Sequence, residues 1–341
     1  MGFRDEFREF GFLMPFLIVL ILLSVIGNLV ALVVILRSRE LRTNPSNFYL
    51  VNGTVSNLLF CLLVQVVLLV FSSIGAGDQQ LQCNFTIFVF YTCSFVTVMT
   101  LTAIALDKYF AIIRPFWFRR RNKRLQTLRA IVVFWILGVF FSLPKVVVMV
   151  RQSGVRYCSR GIRHTRSSEE LISEILILIL VFLLPNIIIF TVYVRLIHKL
   201  WFSSDAKSST NIGLLRSRRA VTKLFVTMTT LFVICWTPYT VDAILWFLDS
   251  QVSKLSEVLS LCFVFLYCAA SALVYAVCNP TVRRAVQKAC ARGFACCHGK
   301  PEQRQVEPKK ARAKTAQTTI ALLGVAQQGG DRRPVDVIDM E

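Results

Sequence analysis

FGFLMPFLIVLILLSVIGNLVALVVIL, from Phe10 to Leu36, is the stretch from which the rest of the chain is read. It carries no charged side chain and exceeds the roughly 20 residues that a helix needs to cross about 30 Å of hydrocarbon. Its apolar run is too long for a secretory signal and no small-residue cleavage site follows it, so it reads as a signal anchor. Further apolar stretches follow at Thr43 to Gly77, Gln79 to Leu106, Ala130 to Val150, Ile175 to Val194, Leu224 to Phe247 and Val258 to Val282. Two of them hold one charge each, Lys145 in the fourth span and Asp242 in the sixth. The uncharged part of the sixth is short, and Asp242 is expected to reach toward the headgroups. The expected fold is therefore an all-α membrane protein, a seven-transmembrane helix bundle.

Composition agrees, with 55% of the 341 residues hydrophobic and 17% charged. The formal charge of +20 would suggest nucleic acid in a soluble protein, but its placement points to a bilayer and to no nucleic-acid partner. Arg114, Arg119, Arg120, Arg121, Lys123, Arg124 and Arg129 lie between spans three and four, and Arg283, Arg284, Lys288 and Arg292 follow the seventh. The bias of basic residues toward the cytosolic side puts these segments inside and the N-terminus outside.

No repeat or second globular domain interrupts this order. Residues 1–11 form a short extracellular N-terminus and 12–282 the bundle. Residues 283–297 are expected as a short amphipathic eighth helix on the inner leaflet, because Val282, Ala285, Val286 and Ala289 alternate with basic residues at helical period. Cys290, Cys296 and Cys297 beside it are candidates for palmitoylation, the alternative being free cytosolic thiols. Residues 298–341 read as a disordered cytoplasmic tail.

Of eleven cysteines, Cys61, Cys93, Cys235, Cys262, Cys268 and Cys278 lie in apolar spans, where the residue usually acts as a small hydrophobe. Cys83 and Cys158 remain near the outer, oxidising face, and a disulfide between them is the economical reading. Asn52-Gly53-Thr54 has the form of a glycosylation sequon but lies within a span and is read as a chance match.

Motifs on successive spans, from about Phe12 to Cys297, are similar to those of the rhodopsin-like (class A) G-protein-coupled receptor family. They include Gly27-Asn28 in the first span, Asn57 where the family usually has Asp, and Asp107-Lys108-Tyr109 where it has Asp-Arg-Tyr. Trp135, Pro185 with Tyr193, and Cys235-Trp236-Thr237-Pro238-Tyr239 match on spans four, five and six. In the seventh, Ser271-Ala272-Leu273-Val274-Tyr275 stands where the family has Asn-Pro-x-x-Tyr, keeping the tyrosine and losing the proline; a second register would use Asn279-Pro280. The chain thus resembles a divergent member.

The resemblance implies a cell-surface receptor, located at the plasma membrane, that binds an extracellular ligand and activates a heterotrimeric G protein, with arrestin as a further partner. Its switch would comprise Asn28, Asn57, Asp107, Lys108, Tyr109, Pro185, Tyr193, Trp236, Pro238 and Tyr275. Its pocket would include Phe90, Tyr239 and Asp242 over Trp236, although ordinary helix packing also accounts for these aromatics. Amine receptors carry an Asp at the position of Phe90, so monoamines are disfavoured, and no Lys between Glu257 and Arg283 could hold retinal. Asn57 also lacks the carboxylate on which the family's sodium site depends.

Lys145, Arg151, Arg156, Arg160, Arg163, His164 and Arg166 would focus anions at the bundle mouth, unless they form a solvated loop partly neutralised by Glu169, Glu170 and Glu174. An anionic ligand is the expectation. No enzyme, cofactor or metal site is expected, since the three histidines, His164, His198 and His298, are assigned to loops or the tail. An olfactory-type chemoreceptor and a receptor-fold decoy that binds without coupling remain open alternatives.

Overall fold

The computed structural model describes residues 11–43, 45–66, 79–114, 123–151, 168–202, 212–248 and 252–278, together with 282, 283 and 287. Seven of its helices are long and apolar enough to cross a membrane: Pro15–Arg37, Asn47–Gln65, Asn84–Ile113, Lys123–Val147, Leu171–Phe202, Arg218–Trp246 and Leu255–Tyr275. No strand occurs among the described residues. Hydrocarbon offers backbone N–H and C=O groups no partner, so each span satisfies its own by helical hydrogen bonds.

Side-chain placement follows the same solvent logic. Val19, Leu22 and Ile26 on the first span, Val132, Ile136 and Phe140 on the fourth, and Ile187 and Phe190 on the fifth recur every three or four residues and are exposed, marking lipid-facing stripes. The third span is the central post, with 78% of its apolar window buried against 17% for the fourth. It packs against the second, fourth, fifth and sixth, while the seventh joins the sixth to the first.

Helices outrun their apolar stretches where charged ends can reach headgroups or water. The third continues to Ile113, the fourth begins at Lys123, and the sixth begins at Ile212. The fifth runs on through His198–Phe202, which corrects the expectation that His198 lies in a loop. Asp242 also departs from expectation: only 4% exposed, it accepts a 2.7 Å hydrogen bond from Ser256 at the start of the seventh span instead of reaching for headgroups.

The proline of the fifth span is prepared for by a π-helical turn over Leu178–Leu183, in which Leu184 N–H reaches back to the Ile179 carbonyl. Such a widened turn absorbs the hydrogen bond that Pro185 cannot make. Pro238 lies inside the sixth helix, and the seventh, Lys254–Cys278, runs through Ala272 without interruption. Val282, Arg283 and Gln287 are helical, while the remainder of the expected eighth helix and the tail lie outside the described residues.

Candidate functional site

At the bundle's centre, small polar side chains replace apolar packing. Asn28 donates to the backbone carbonyls of Ser24 at 2.8 Å and Cys268 at 3.0 Å, joining the first span to the seventh. Asn57 donates to Ser271 Oγ at 3.0 Å and, more weakly, to Asn28 Oδ1 at 3.4 Å. Asn52, read above only as a chance sequon, donates to Thr100 Oγ1 at 2.8 Å and accepts from Trp135 Nε1 at 2.9 Å, tying spans two, three and four together. Inside a bilayer a polar side chain stays only where a neighbouring helix satisfies it, and these groups meet that demand.

Toward the end of the bundle that contains Lys145, Asp242 and Ser256, spans three, five and six form the walls of a partly open cavity of about 270 Å³. Tyr91, Ser94, Phe182, Phe232, Trp236 and Tyr239 line it, with Glu174 in its wall. The Tyr91 and Tyr239 hydroxyls share a 3.2 Å hydrogen bond in its wall. Phe90 stands in the aromatic cluster behind, its ring centroid 5.8 Å from Trp236 and 5.2 Å from Tyr239. Trp236 and Tyr239 of the expected pocket therefore line the cavity, whereas Phe90 and Asp242 are absent from its described lining. Trp236 stacks on Phe232 at 5.4 Å, and its indole N–H is buried without a hydrogen-bond partner.

Of the two readings given above for Lys145, a charge that attracts anions or one neutralised by nearby acids that include Glu174, the structure has the second. Lys145 is 8% exposed and ion-paired with Glu174, also 8% exposed, on the neighbouring fifth span. Two buried opposite charges on adjacent helices pair because neither can be left alone in a low dielectric.

At the opposite end Asp107 Oδ2 accepts a 2.6 Å bond from Ser46 Oγ and a 3.2 Å ion pair from Lys108. Lys108 Nζ stands 5.7 Å from the ring centroid of Phe225 on the sixth span. The sixth helix, Ile212–Phe247, contributes Arg216, Arg218, Arg219 and Lys223 at this end and no acidic residue. Arg219 instead forks onto the Leu200 carbonyl of the fifth span at 2.9 and 2.7 Å. Tyr275 is buried with its hydroxyl unpartnered, and the Tyr193 and Thr229 hydroxyls lie close without hydrogen-bond geometry. Tyr109 packs edge-on to Phe110.

Several expected site residues lie outside the described residues: Cys158, Arg156, Arg160, Arg163, Arg166, Cys290, Cys296 and Cys297, with the side chains of Cys83 and Arg151. Sequence reasoning missed Glu174 as a cavity wall, Ser46 as the holder of Asp107, and Asn52 as a bridge. The lone lysine of the fourth span and the acid opening the fifth were a legible signal for the first of these.

Seven helices able to span a membrane, with a cavity near one end and a charged cluster at the other, are the architecture of a multi-pass membrane protein. The chain belongs to the family described as 7 transmembrane receptor (rhodopsin family), which it matches over residues 27–282, and that match makes it a receptor. It is similar to galanin receptor 2a of Danio rerio, 25% identical over 318 residues that cover 91% of this chain and 84% of the relative. Neuromedin-U receptor 2 of Mus musculus is 28% identical over 84% of this chain and 76% of its own length. A tachykinin-like peptides receptor, 86C of Drosophila melanogaster, is 26% identical over 84% of this chain and 59% of its own length. Such proteins are signalling receptors and not enzymes.

Proposed function

We propose that this protein binds an extracellular peptide in the cavity between spans three, five and six, and activates a heterotrimeric G protein by outward movement of the inner half of the sixth helix. One observation carries the reading: Trp236, in the cavity wall, lies two residues before Pro238, so a ligand touching the indole presses on the turn where the helix is weakest. Pro238 supplies no N–H, which leaves that turn a hydrogen bond short and free to hinge. The sixth helix is held at its inner end by Arg219 on the Leu200 carbonyl, a contact that its displacement would break. The peptide class is taken from the relatives, whose names include galanin, neuromedin-U and tachykinin-like peptides.

The expectation of an anionic ligand loses one of its supports, since Lys145 is already taken by Glu174. From the bias of basic residues we also propose an outer N-terminus, cytosolic basic segments and a Cys83–Cys158 disulfide. Acylation at Cys290, Cys296 or Cys297 and binding of arrestin belong to the same proposal.

The test is ligand-free activation of a panel of G proteins in cells, native chain against Lys108→Ala at matched surface expression, followed by a peptide screen on the responding transducer. Activity above mock cells that falls in the variant supports the reading. Specific peptide binding with no transducer response in either chain would make the protein a non-coupling decoy. Response to small odorants and to no peptide would make it a chemoreceptor.

A further inference from the structure

The outer cavity carries a chemical preference that its aromatic lining alone would not give. We infer that Glu174 receives a cationic group of the ligand, a guanidinium or ammonium borne by a peptide, and that Lys145 is the resident counter-charge which this group displaces. The inference rests on the reading of the cavity as the ligand site.

Glu174 is the one charged residue among the described residues lining the cavity, whereas Lys145 holds it from the fourth span and does not itself line the space. An entering group therefore meets a carboxylate set among the rings of Tyr91, Phe182, Trp236 and Tyr239. Aromatic faces and a carboxylate both attract cations and both disfavour an anion. At about 270 Å³ the cavity has room for the end of a peptide and not its body.

A buried ion pair is a poor source of stability, because the attraction roughly offsets the desolvation of both groups, but breaking one by removing a single partner is costly. A ligand cation avoids that cost by exchanging one partner of Glu174 for another. The released ammonium has somewhere to go: Lys145 Nζ already stands 6.0 Å from the ring centroid of Trp246 on the sixth span. Exchange would thus loosen the fourth span from the fifth and strengthen the hold of Lys145 on the helix that carries Trp236.

The experiment uses the full chain in lipid nanodiscs and three small probes, phenethylguanidine, its neutral isostere phenethylurea, and the anion 3-phenylpropionate. Affinities are read by ligand-observed NMR, and folding of each variant by thermal unfolding. On the native chain the guanidine binds about tenfold tighter than the urea, as a charge-assisted hydrogen bond to a largely buried carboxylate implies. Glu174→Gln removes that advantage and leaves the urea affinity in place. Lys145→Met raises guanidine affinity, because the competing ammonium is gone; a purely structural pair would instead weaken all probes in both variants. Should Lys145→Met fail to fold, the double variant Glu174→Gln/Lys145→Met, which buries no unpaired charge, takes the place of the single one, and it must bind guanidine and urea equally. Urea or phenylpropionate binding as well as the guanidine on the native chain overturns the inference and leaves the cavity as the ligand site. Binding of none of the three overturns both.

Discussion

Asn57 on the second span and Ser271 on the seventh are joined by a 3.0 Å hydrogen bond between two neutral groups. The small space beside them, about 40 Å³ and lined by Asn28, Asn57, Thr97, Ser271 and Tyr275 among others, contains no described carboxylate. That volume suits about two or three waters, and a bare sodium ion there would lack the anion that compensates its desolvation. Replacing sodium by an impermeant cation is expected to leave agonist affinity unchanged. Asn57→Asp should introduce a sodium dependence, and a clear sodium effect on the native chain would count against the assignment.

At Gly27 the first span lies close against Ala272 of the seventh. A Cβ built there would lie 2.9 Å from the Cβ of Ala272, and neither atom can swing aside. Gly27→Ala should cost about 1–3 kcal/mol through overpacking, read as a lower unfolding temperature in detergent. The double variant Gly27→Ala/Ala272→Gly returns the missing space and should recover most of the loss. If it recovers none, close packing is not the reason for the glycine.

Asn52 serves two partners at once, Trp135 Nε1 and Thr100 Oγ1. Asn52→Ala would strand the indole N–H of a half-buried tryptophan, at about 1–3 kcal/mol. Trp135→Phe in the Asn52→Ala background removes the stranded donor, so its further cost should be smaller than in the native background. Equal costs in the two backgrounds, from a thermal double-mutant cycle, would show that the contact contributes nothing.

Asp107 is restrained from the second span by Ser46, at 2.6 Å. Ser46→Ala removes that neutral hold while keeping the Lys108 ammonium. Ligand-free G-protein activation is expected to rise by roughly fivefold, corresponding to about 1 kcal/mol taken from the resting state. Lys108→Ala, which removes the charge offered to the transducer, should lower it. A fall in Ser46→Ala at matched surface expression would mean that Ser46 supports the active state.

Much of the architecture was readable from hydropathy because each span interacts with lipid and with itself before it meets another helix. The long run at 10–36 and the lone charges at Lys145 and Asp242 were visible, but their partners were not. Asp242 turned inward to Ser256, since a hydrogen bond from the next span outweighed a path to the headgroups. Phe90 matched an expected pocket position by register, yet a rotation about its helix places Tyr91, its neighbour, against the cavity. Charge limits the hydrocarbon-crossing part of a helix and not the helix itself, so the fifth runs on through His198 although the apolar stretch ends at Val194.

By itself the sequence determined the solvent, the number of spans and the order of the motifs, properties carried by local composition and by spacing along one helix. The tertiary structure alone decided which lone polar groups face one another: Lys145 with Glu174, Asn57 with Ser271, Asn52 with Trp135, and Ser46 with Asp107. Each pairing depends on the rotation and depth of two separate helices, which side-chain packing sets across the bundle and no single stretch of chain encodes.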